Sequence, residues 1–200
     1  MNTAEQLDTY FTYANYCQWP ADERWELING EAYMMAAPNR LHQKIVFELG
    51  RQIGNHFLNK TCEGYVAPFD VRLPNQVDAM DDQIDTVVQP DLAVICDESK
   101  LDDKGCLGAP DWVIEVLSPA TARKDMDEKR DLYQKHGVRE YWLVHPTEAW
   151  VMVYRLNEVG EYSYPQVLGF DGLTPVGIFP DLSIDWSFMP QQVTKIIKKP

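Results

Sequence analysis

The chain has 200 residues, with 31 Asp and Glu against 18 Lys and Arg and a formal net charge of −13. A hydrophobic fraction of 45% and an aromatic fraction of 12% exclude a disordered or fibrous protein, and the length suits a single domain over residues 1–200. The acidity argues against nonspecific nucleic-acid binding, which relies on basic side chains that displace counterions from phosphates.

The first residues, MNTAEQLDTYFTYANYCQW, contain neither a basic n-region nor a continuous apolar h-region, and no stretch approaches the roughly 18 apolar residues of a membrane span. We therefore expect a cytoplasmic protein without a membrane partner. The cysteines are irregularly spaced and form no CxxC pair, which favours reduced, mostly buried thiols over a zinc site or a disulfide framework: Cys17, Cys62, Cys96 and Cys106.

Two local sequence patterns predict a hairpin and a helix before the strands of the fold. RWELINGEAYMMAAP predicts a small hairpin with Asn29-Gly30 as its turn. Residues 39–59 place apolar side chains at three- and four-residue steps, which predicts an amphipathic helix.

Five strands are predicted downstream from short runs rich in valine, isoleucine and aromatic residues: YVAPFDVRL, TVVQPDLAVIC, DWVIEVLS, EYWLVHP and AWVMVYRL. A helix, TARKDMDEKRDLYQKHG, lies between the third and fourth and ends at Gly137. This crossover makes those two strands parallel, and the first two are expected to pair antiparallel. The core is predicted at about residues 25–156. Residues 157–200 form a C-terminal extension, with short strands at residues 161–168.

One carboxylate interrupts the most apolar of these strands. In DWVIEVLS, Glu115 alternates onto the same face as Val113 and Leu117. A buried carboxylate without a partner costs several kcal/mol, so it takes up a proton, pairs with a cation or binds a metal. The structural alternative is an internal ion pair with Lys or Arg.

Asp91 follows Pro90 in QPDLAV, where turn chemistry is the ordinary explanation for an aspartate. Neighbouring strands would bring Asp91 and Glu115 to one site. Two carboxylates with water and a substrate phosphate are typical of a magnesium site, so the pair carries more weight than either residue alone.

The runs PDLAVI, VIEVLSP, DMDEKRDLY and GVREYWLVHP, together with the upstream ELINGEAYMMAAP, resemble the Uma-type family of restriction-endonuclease-like proteins in the PD-(D/E)xK nuclease superfamily. The resemblance covers roughly residues 25–156. It implies an α/β (α+β) fold with a restriction-endonuclease-like core, in which a mixed central sheet is flanked by two helices.

By this resemblance, Asp91 corresponds to the aspartate of the PD motif and Glu115 to the acid of the ExK-like strand, and both are expected to hold Mg²⁺ or Mn²⁺. Position 117 is leucine, so the lysine must come from elsewhere. Lys129, in the D-x-x-x-K-x-x-x-Y spacing of residues 125–133, is expected to orient the attacking water. The alternative is a surface ion pair between Lys129 and Asp125.

His42 lies on the inward face of the first helix by helical periodicity. Some nucleases of the superfamily use a first-helix histidine as an additional ligand, preferring manganese, which makes His42 a third candidate metal ligand. A hydrogen-bonded core histidine is the alternative. Asp70 is expected to pair with Arg72 or a neighbour.

The resemblance implies an endonuclease that hydrolyses nucleic-acid phosphodiesters, DNA first, by metal-activated water. Leucine at position 117 and the acidic composition favour the alternative, an inactive nuclease-like fold that serves as a binding or assembly module. Hydrolysis of another phosphate ester is a weaker alternative. By analogy and composition, the aromatic EYW and AWVMVYRL strands are expected to supply a homodimer interface.

The negative charge is uneven. Residues 75–103 carry a net charge of −8, whereas residues 39–60 carry +3 and residues 123–139 carry +2. We therefore expect substrate to approach over the two helices and not past the acidic segment.

Overall fold

Two six-stranded sheets, one two-stranded sheet formed by Leu173–Pro175 and Ser183–Asp185, and two main helices make up the computed structural model, which describes residues 10–119 and 121–189. The helices are α1 (Tyr13–Tyr16), α2 (Arg40–Phe57), α3 (Ala122–Lys124) and α4 (Arg130–His136), with a π-helical segment at Asp125–Lys129 and a 3-10 turn at Glu98–Lys100. The strands are β1 (Trp25–Ile28), β2 (Glu31–Met34), β3 (Glu63–Val66), β4 (Val71–Arg72), β5 (Val87–Val88), β6 (Leu92–Ile95), β7 (Leu101–Asp102), β8 (Gly105–Leu107), β9 (Trp112–Val116), β10 (Glu140–His145), β11 (Trp150–Arg155), β12 (Gln166–Gly169), β13 (Leu173–Pro175) and β14 (Ser183–Asp185).

The central sheet has the order β12-β11-β10-β9-β6-β3. Only β9 and β10 pair parallel in it, as the helical crossover predicts, and β3 pairs antiparallel with β6. Helix α2 packs on the face that includes Trp112 and Ile114, while α4 packs on the face that includes Val113 and Leu117. The mixed sheet flanked by two helices is therefore confirmed.

A second sheet, of order β2-β1-β5-β4-β8-β7, was not predicted. The prediction of YVAPFDVRL and TVVQPDLAVIC as single strands is wrong, because each divides at a proline, Pro68 and Pro90, that has no N–H for the ladder. The two segments still pair antiparallel, but in different sheets. The first half of YVAPFDVRL, β3, pairs with the second half of TVVQPDLAVIC, β6, whereas β4 pairs with β5. The predicted hairpin is confirmed, and Asn29 and Gly30 adopt the positive φ angles (51° and 82°) that its two-residue turn requires.

The two main helices have clear local causes. Asn39 caps α2, because its side chain accepts hydrogen bonds from the N–H groups of Leu41 and His42 at 3.0 Å each. The other main helix, called the second helix below, consists of α3, the π-helical segment and α4. It ends at Gly137, whose φ of 85° is the left-handed conformation expected there. Among the described helices, none is long and apolar enough to cross a membrane.

The part of the C-terminal extension up to residue 189 packs against α2. Ile184 and Trp186 are fully buried in the same apolar cluster as Ile45 and Leu49. Gln52 fixes this contact by hydrogen bonds to the N–H and the carbonyl of residue 185, at 2.8 and 3.0 Å. These residues complete the apolar surroundings of the helix that carries His42.

The prediction that all cysteines are reduced is wrong for two of them. Cys62 and Cys96 form a disulfide, with a Cα–Cα distance of 3.9 Å. They stand directly opposite each other one position beyond the Glu63↔Ile95 pair of β3 and β6. Their separation of 34 residues gives no hint of this in the sequence, since only strand pairing brings them together. Cys17 is free and exposed, and Cys106 is free and buried.

Removing this cross-link should lower the free energy of unfolding by about 2–4 kcal/mol, because it restricts the unfolded chain over 34 residues. Urea unfolding of Cys62→Ser beside the wild type measures the loss. Cys17→Ser, which removes an exposed free thiol, is the matched control and should leave the midpoint unchanged. Titration of four thiols in the denatured, unreduced protein would contradict the disulfide.

Candidate active site

A cavity of about 730 Å³ lies between α2, the β1–β2 hairpin and the start of the second helix. Its inner lining contains every predicted site residue. The charged and imidazole side chains that line it are Arg24, Glu26, His42, Arg51, Asp91, Glu115, Lys124, Asp125 and Lys129.

Asp91 lies at the start of β6, just after Pro90 interrupts the strand. Its Oδ2 accepts a hydrogen bond from the N–H of Val116 at 2.7 Å and lies 3.1 Å from Nε2 of His42. The inward orientation predicted for His42 is confirmed, since only 7% of this residue is exposed. Its Nδ1 is buried and has no hydrogen-bond partner among the described residues.

Glu115 projects from the centre of the sheet toward the second helix. Its Oε2 lies 3.4 Å from the N–H of Asp91, while its Oε1 accepts hydrogen bonds from Lys129 Nζ at 2.8 Å and from the Tyr133 hydroxyl at 2.9 Å. The structure therefore brings Asp91, Glu115 and Lys129 together. The ion pair named as the structural alternative for Glu115 is also present, with Lys129 as its partner.

Lys129 is a buried residue, 3% exposed, so the alternative of a surface ion pair is wrong. Its ammonium lies 2.7 Å from Glu26 and 2.8 Å from Glu115, whereas Asp125 is 3.6 Å away. Leu117, where the family pattern would place lysine, is 5% exposed and packs in the apolar cluster under the helix. The second helix therefore provides, through Lys129, the positive charge beside Glu115 that the strand of Glu115 does not provide.

Glu26, on β1, is the site residue that the sequence interpretation missed. It is 2% exposed, and it accepts a hydrogen bond from the N–H of Gln89 at 2.9 Å in addition to its contact with Lys129. Its other oxygen lies 3.7 Å from Lys124 Nζ. A signal was present, because Glu26 alternates onto the face of the buried Ile28, but a short hairpin gives a weak indication of burial.

Negative charge is in excess around Lys129. Burial raises the pKa of Glu115 to about 8; Asp125, Asp91 and Glu26 act in the same direction, and Lys129 opposes them. Burial also raises the pKa of Asp125. Burial alone would lower the pKa of Lys129, but its acidic neighbours hold that pKa well above the usual value. One buried ammonium among four carboxylates favours the uptake of a further positive charge.

Asp70 lies in a neighbouring hydrogen-bond network. It accepts hydrogen bonds from the Tyr16 hydroxyl and from Gln89 Nε2, both at 2.9 Å. The expected pairing with Arg72 is wrong, because Arg72 binds Asp102 at 2.6 Å, although the alternative of a neighbouring partner is confirmed. Burial raises the pKa of Asp70.

The carboxylate oxygens of the site are the type of ligand that a hard divalent cation prefers. Within residues 10–119 and 121–189, no three His, Cys, Asp or Glu side chains form a group that could hold a metal ion by protein ligands alone. Magnesium, however, is commonly bound by one or two carboxylates with water and substrate phosphate. Asp91 and Glu115 provide that pair. Asp91 Oδ1 accepts no hydrogen bond from the described residues, and Glu115 Oε2 accepts only the long one from the N–H of Asp91.

The fold is that of a mixed α/β domain. It matches the crystal structure described as a putative nuclease belonging to DUF820 from Anabaena variabilis, with a TM-score of 0.69 and 22% identity over 88% of this chain and 95% of that chain.

The chain belongs to the Uma2 family, whose model carries the description "putative restriction endonuclease" and matches residues 13–187. This confirms the family resemblance. An uncharacterized protein from Synechocystis is 27% identical over 150 residues, which cover 74% of this chain and 75% of that protein.

Proposed function

We propose that the protein is an endonuclease that hydrolyses nucleic-acid phosphodiester bonds with the help of Mg²⁺ or Mn²⁺. The observation that carries the proposal is the convergence of Asp91, Glu115 and Lys129 at one cavity, with the lysine ammonium 2.8 Å from Glu115. Two strands and a helix contribute these residues. Their convergence supports the acid, acid and lysine arrangement that the resemblance implies, although position 117 is leucine.

In this proposal, Asp91 and Glu115 would hold the cation, and His42 orients Asp91 through Nε2. A bound divalent cation lowers the pKa of water and neutralises charge that develops on a phosphate. Lys129 orients the attacking water and stabilises the phosphate oxygens electrostatically. Glu26 and Tyr133 fix the lysine and Glu115 by their hydrogen bonds.

Cleavage of circular plasmid and of circular single-stranded DNA, each with Mg²⁺ or Mn²⁺, tests this function. Glu115→Ala should cleave more than about 100-fold more slowly, because the loss of several kcal/mol of charge stabilisation corresponds to at least that factor. Glu158→Ala, which removes an exposed acid outside the cavity, is the control and should retain full activity. Undiminished cleavage by Glu115→Ala would contradict the assignment.

The alternative function is an inactive nuclease-like module, favoured by leucine at position 117 and by the engagement of Lys129 with two carboxylates. Calorimetric titration with Mn²⁺ separates the two proposals. Binding that disappears in both Asp91→Ala and Glu115→Ala supports the enzyme. Absence of binding to the wild type, together with absence of cleavage, supports the module.

A further inference from the structure

Exposed apolar side chains surround the mouth of the cavity. Met34 on β2, Phe47 on α2 and Val66 on β3 line it and are 65%, 68% and 48% exposed. We call these three residues the mouth cluster. Large apolar side chains that remain exposed around one cavity are typical of a binding surface, since water contact with them is unfavourable.

Cations line the same cavity. The Arg24 guanidinium binds the amide oxygen of Gln89 at 2.9 and 3.1 Å and forms no ion pair with a carboxylate of the described residues. Lys124 Nζ lies 3.7 Å from Glu26 and 4.0 Å from the centre of the Tyr33 ring. A wall that combines apolar surface with positive charge suits a ligand that carries both flat apolar faces and phosphates.

We propose that the cavity takes an unpaired nucleotide, so that the substrate is single-stranded nucleic acid or a locally unpaired strand, with a base stacked on Phe47. This inference rests on the proposed function. A duplex presents phosphates and groove edges, while its base faces are covered by stacking, so it would leave Phe47 exposed. An unpaired base offers its face to an aromatic side chain.

The burial of the site residues and the net charge of the chain both support a single-stranded substrate. Glu115 and Lys129 are only 4% and 3% exposed, so the reacting phosphate has to enter the cavity. With a net charge of −13, the chain attracts phosphates weakly, and stacking on the mouth cluster supplies affinity that electrostatics does not. Of the acidic segment 75–103, only residues 89 and 91–93 line the cavity, so Asp91 is the one acidic side chain that this segment contributes there.

Fluorescence anisotropy with a labelled single-stranded DNA oligonucleotide and with its duplex, in the absence of divalent metal, measures this preference. Phe47→Ala should weaken single-strand binding roughly tenfold, and Phe47→Trp should preserve it, because stacking on an aromatic ring contributes that order of affinity. Tyr164→Ala is the matched control: Tyr164 is a fully exposed aromatic residue outside the cavity, and its loss should change nothing.

Cleavage in Mn²⁺ gives a second measurement: the wild type should cut single-stranded substrate faster than duplex, and Phe47→Ala should reduce this ratio. Equal cleavage of both substrates, still dependent on Glu115, would overturn the inference and leave the proposed function intact. Cleavage independent of Glu115 would instead refute the proposed function. If Phe47→Ala dissociates a dimer without weakening oligonucleotide binding, the mouth cluster is an interface between copies and the inference is wrong.

Discussion

Replacing Lys129 by methionine should destabilise the protein by about 3–5 kcal/mol at pH 7, because it removes the only buried ammonium among the described residues and leaves buried carboxylates without a counter-ion. Methionine approximately fills the same volume, so packing changes little. The loss should be smaller near pH 5, because burial raises the pKa of Asp125 and this carboxyl then binds a proton more readily. Urea unfolding at the two pH values measures both effects, and cleavage by Lys129→Met should fall at least about 100-fold.

Lys135→Met is the matched control for this prediction. Lys135 lies on the same helix, is exposed, and binds Asn75 rather than a carboxylate. Its replacement should change stability by no more than about 0.5 kcal/mol. A Lys129→Met protein as stable as this control would mean that the buried contact between Lys129 and Glu26 contributes nothing to stability.

Glu115 should make the metal-free protein less stable as the pH rises. Its pKa is about 8 in the folded protein against a usual value of 4.5, so the folded state binds the proton more tightly than the unfolded state does. The resulting stabilisation is complete below about pH 4.5 and disappears as the pH rises through 8. Its size is on the order of 5 kcal/mol.

Glu115→Gln isolates this contribution, because glutamine resembles protonated glutamate and does not titrate. The two proteins should have similar free energies of unfolding at pH 5, and Glu115→Gln should be the more stable at pH 8.5. Adding Mn²⁺ at pH 8.5 should restore stability to the wild type and not to the variant, since a ligand bound only by the folded state stabilises it. Parallel pH profiles for the two proteins would contradict the raised pKa.

The fold could be predicted from the sequence where local signals are strong. Residues 39–59 follow the helical period, the Asn29-Gly30 turn fixes its hairpin, and the crossover sets β9 parallel to β10. The second sheet could not be predicted, because strands of two residues, such as β4 and β5, carry too little pattern. Their pairing depends on contacts between segments far apart in the chain.

The residues of the site also differ in how well they could be predicted from the sequence. Glu115 could be found because a carboxylate on an apolar strand is conspicuous, and Asp91 and Lys129 followed from the family spacing. Glu26 was missed because its alternation on a short strand is a weak signal and its burial results from the packing of the hairpin against the second helix. The Cys62–Cys96 disulfide was missed for a related reason: it depends on strand register, which spacing alone does not reveal.

The π-helical segment Asp125–Lys129 carries the lysine of the site, and its carbonyl at Asp125 accepts a hydrogen bond from Tyr141. A π turn contains one residue more than an α turn, and one residue corresponds to about 100° of rotation around a helix. The direction in which Lys129 projects from the helix therefore depends on the number of residues in the segment as well as on their identity. When relatives are aligned, a one-residue gap here would move the lysine to another face, so such a gap marks a different active site even where every motif letter matches.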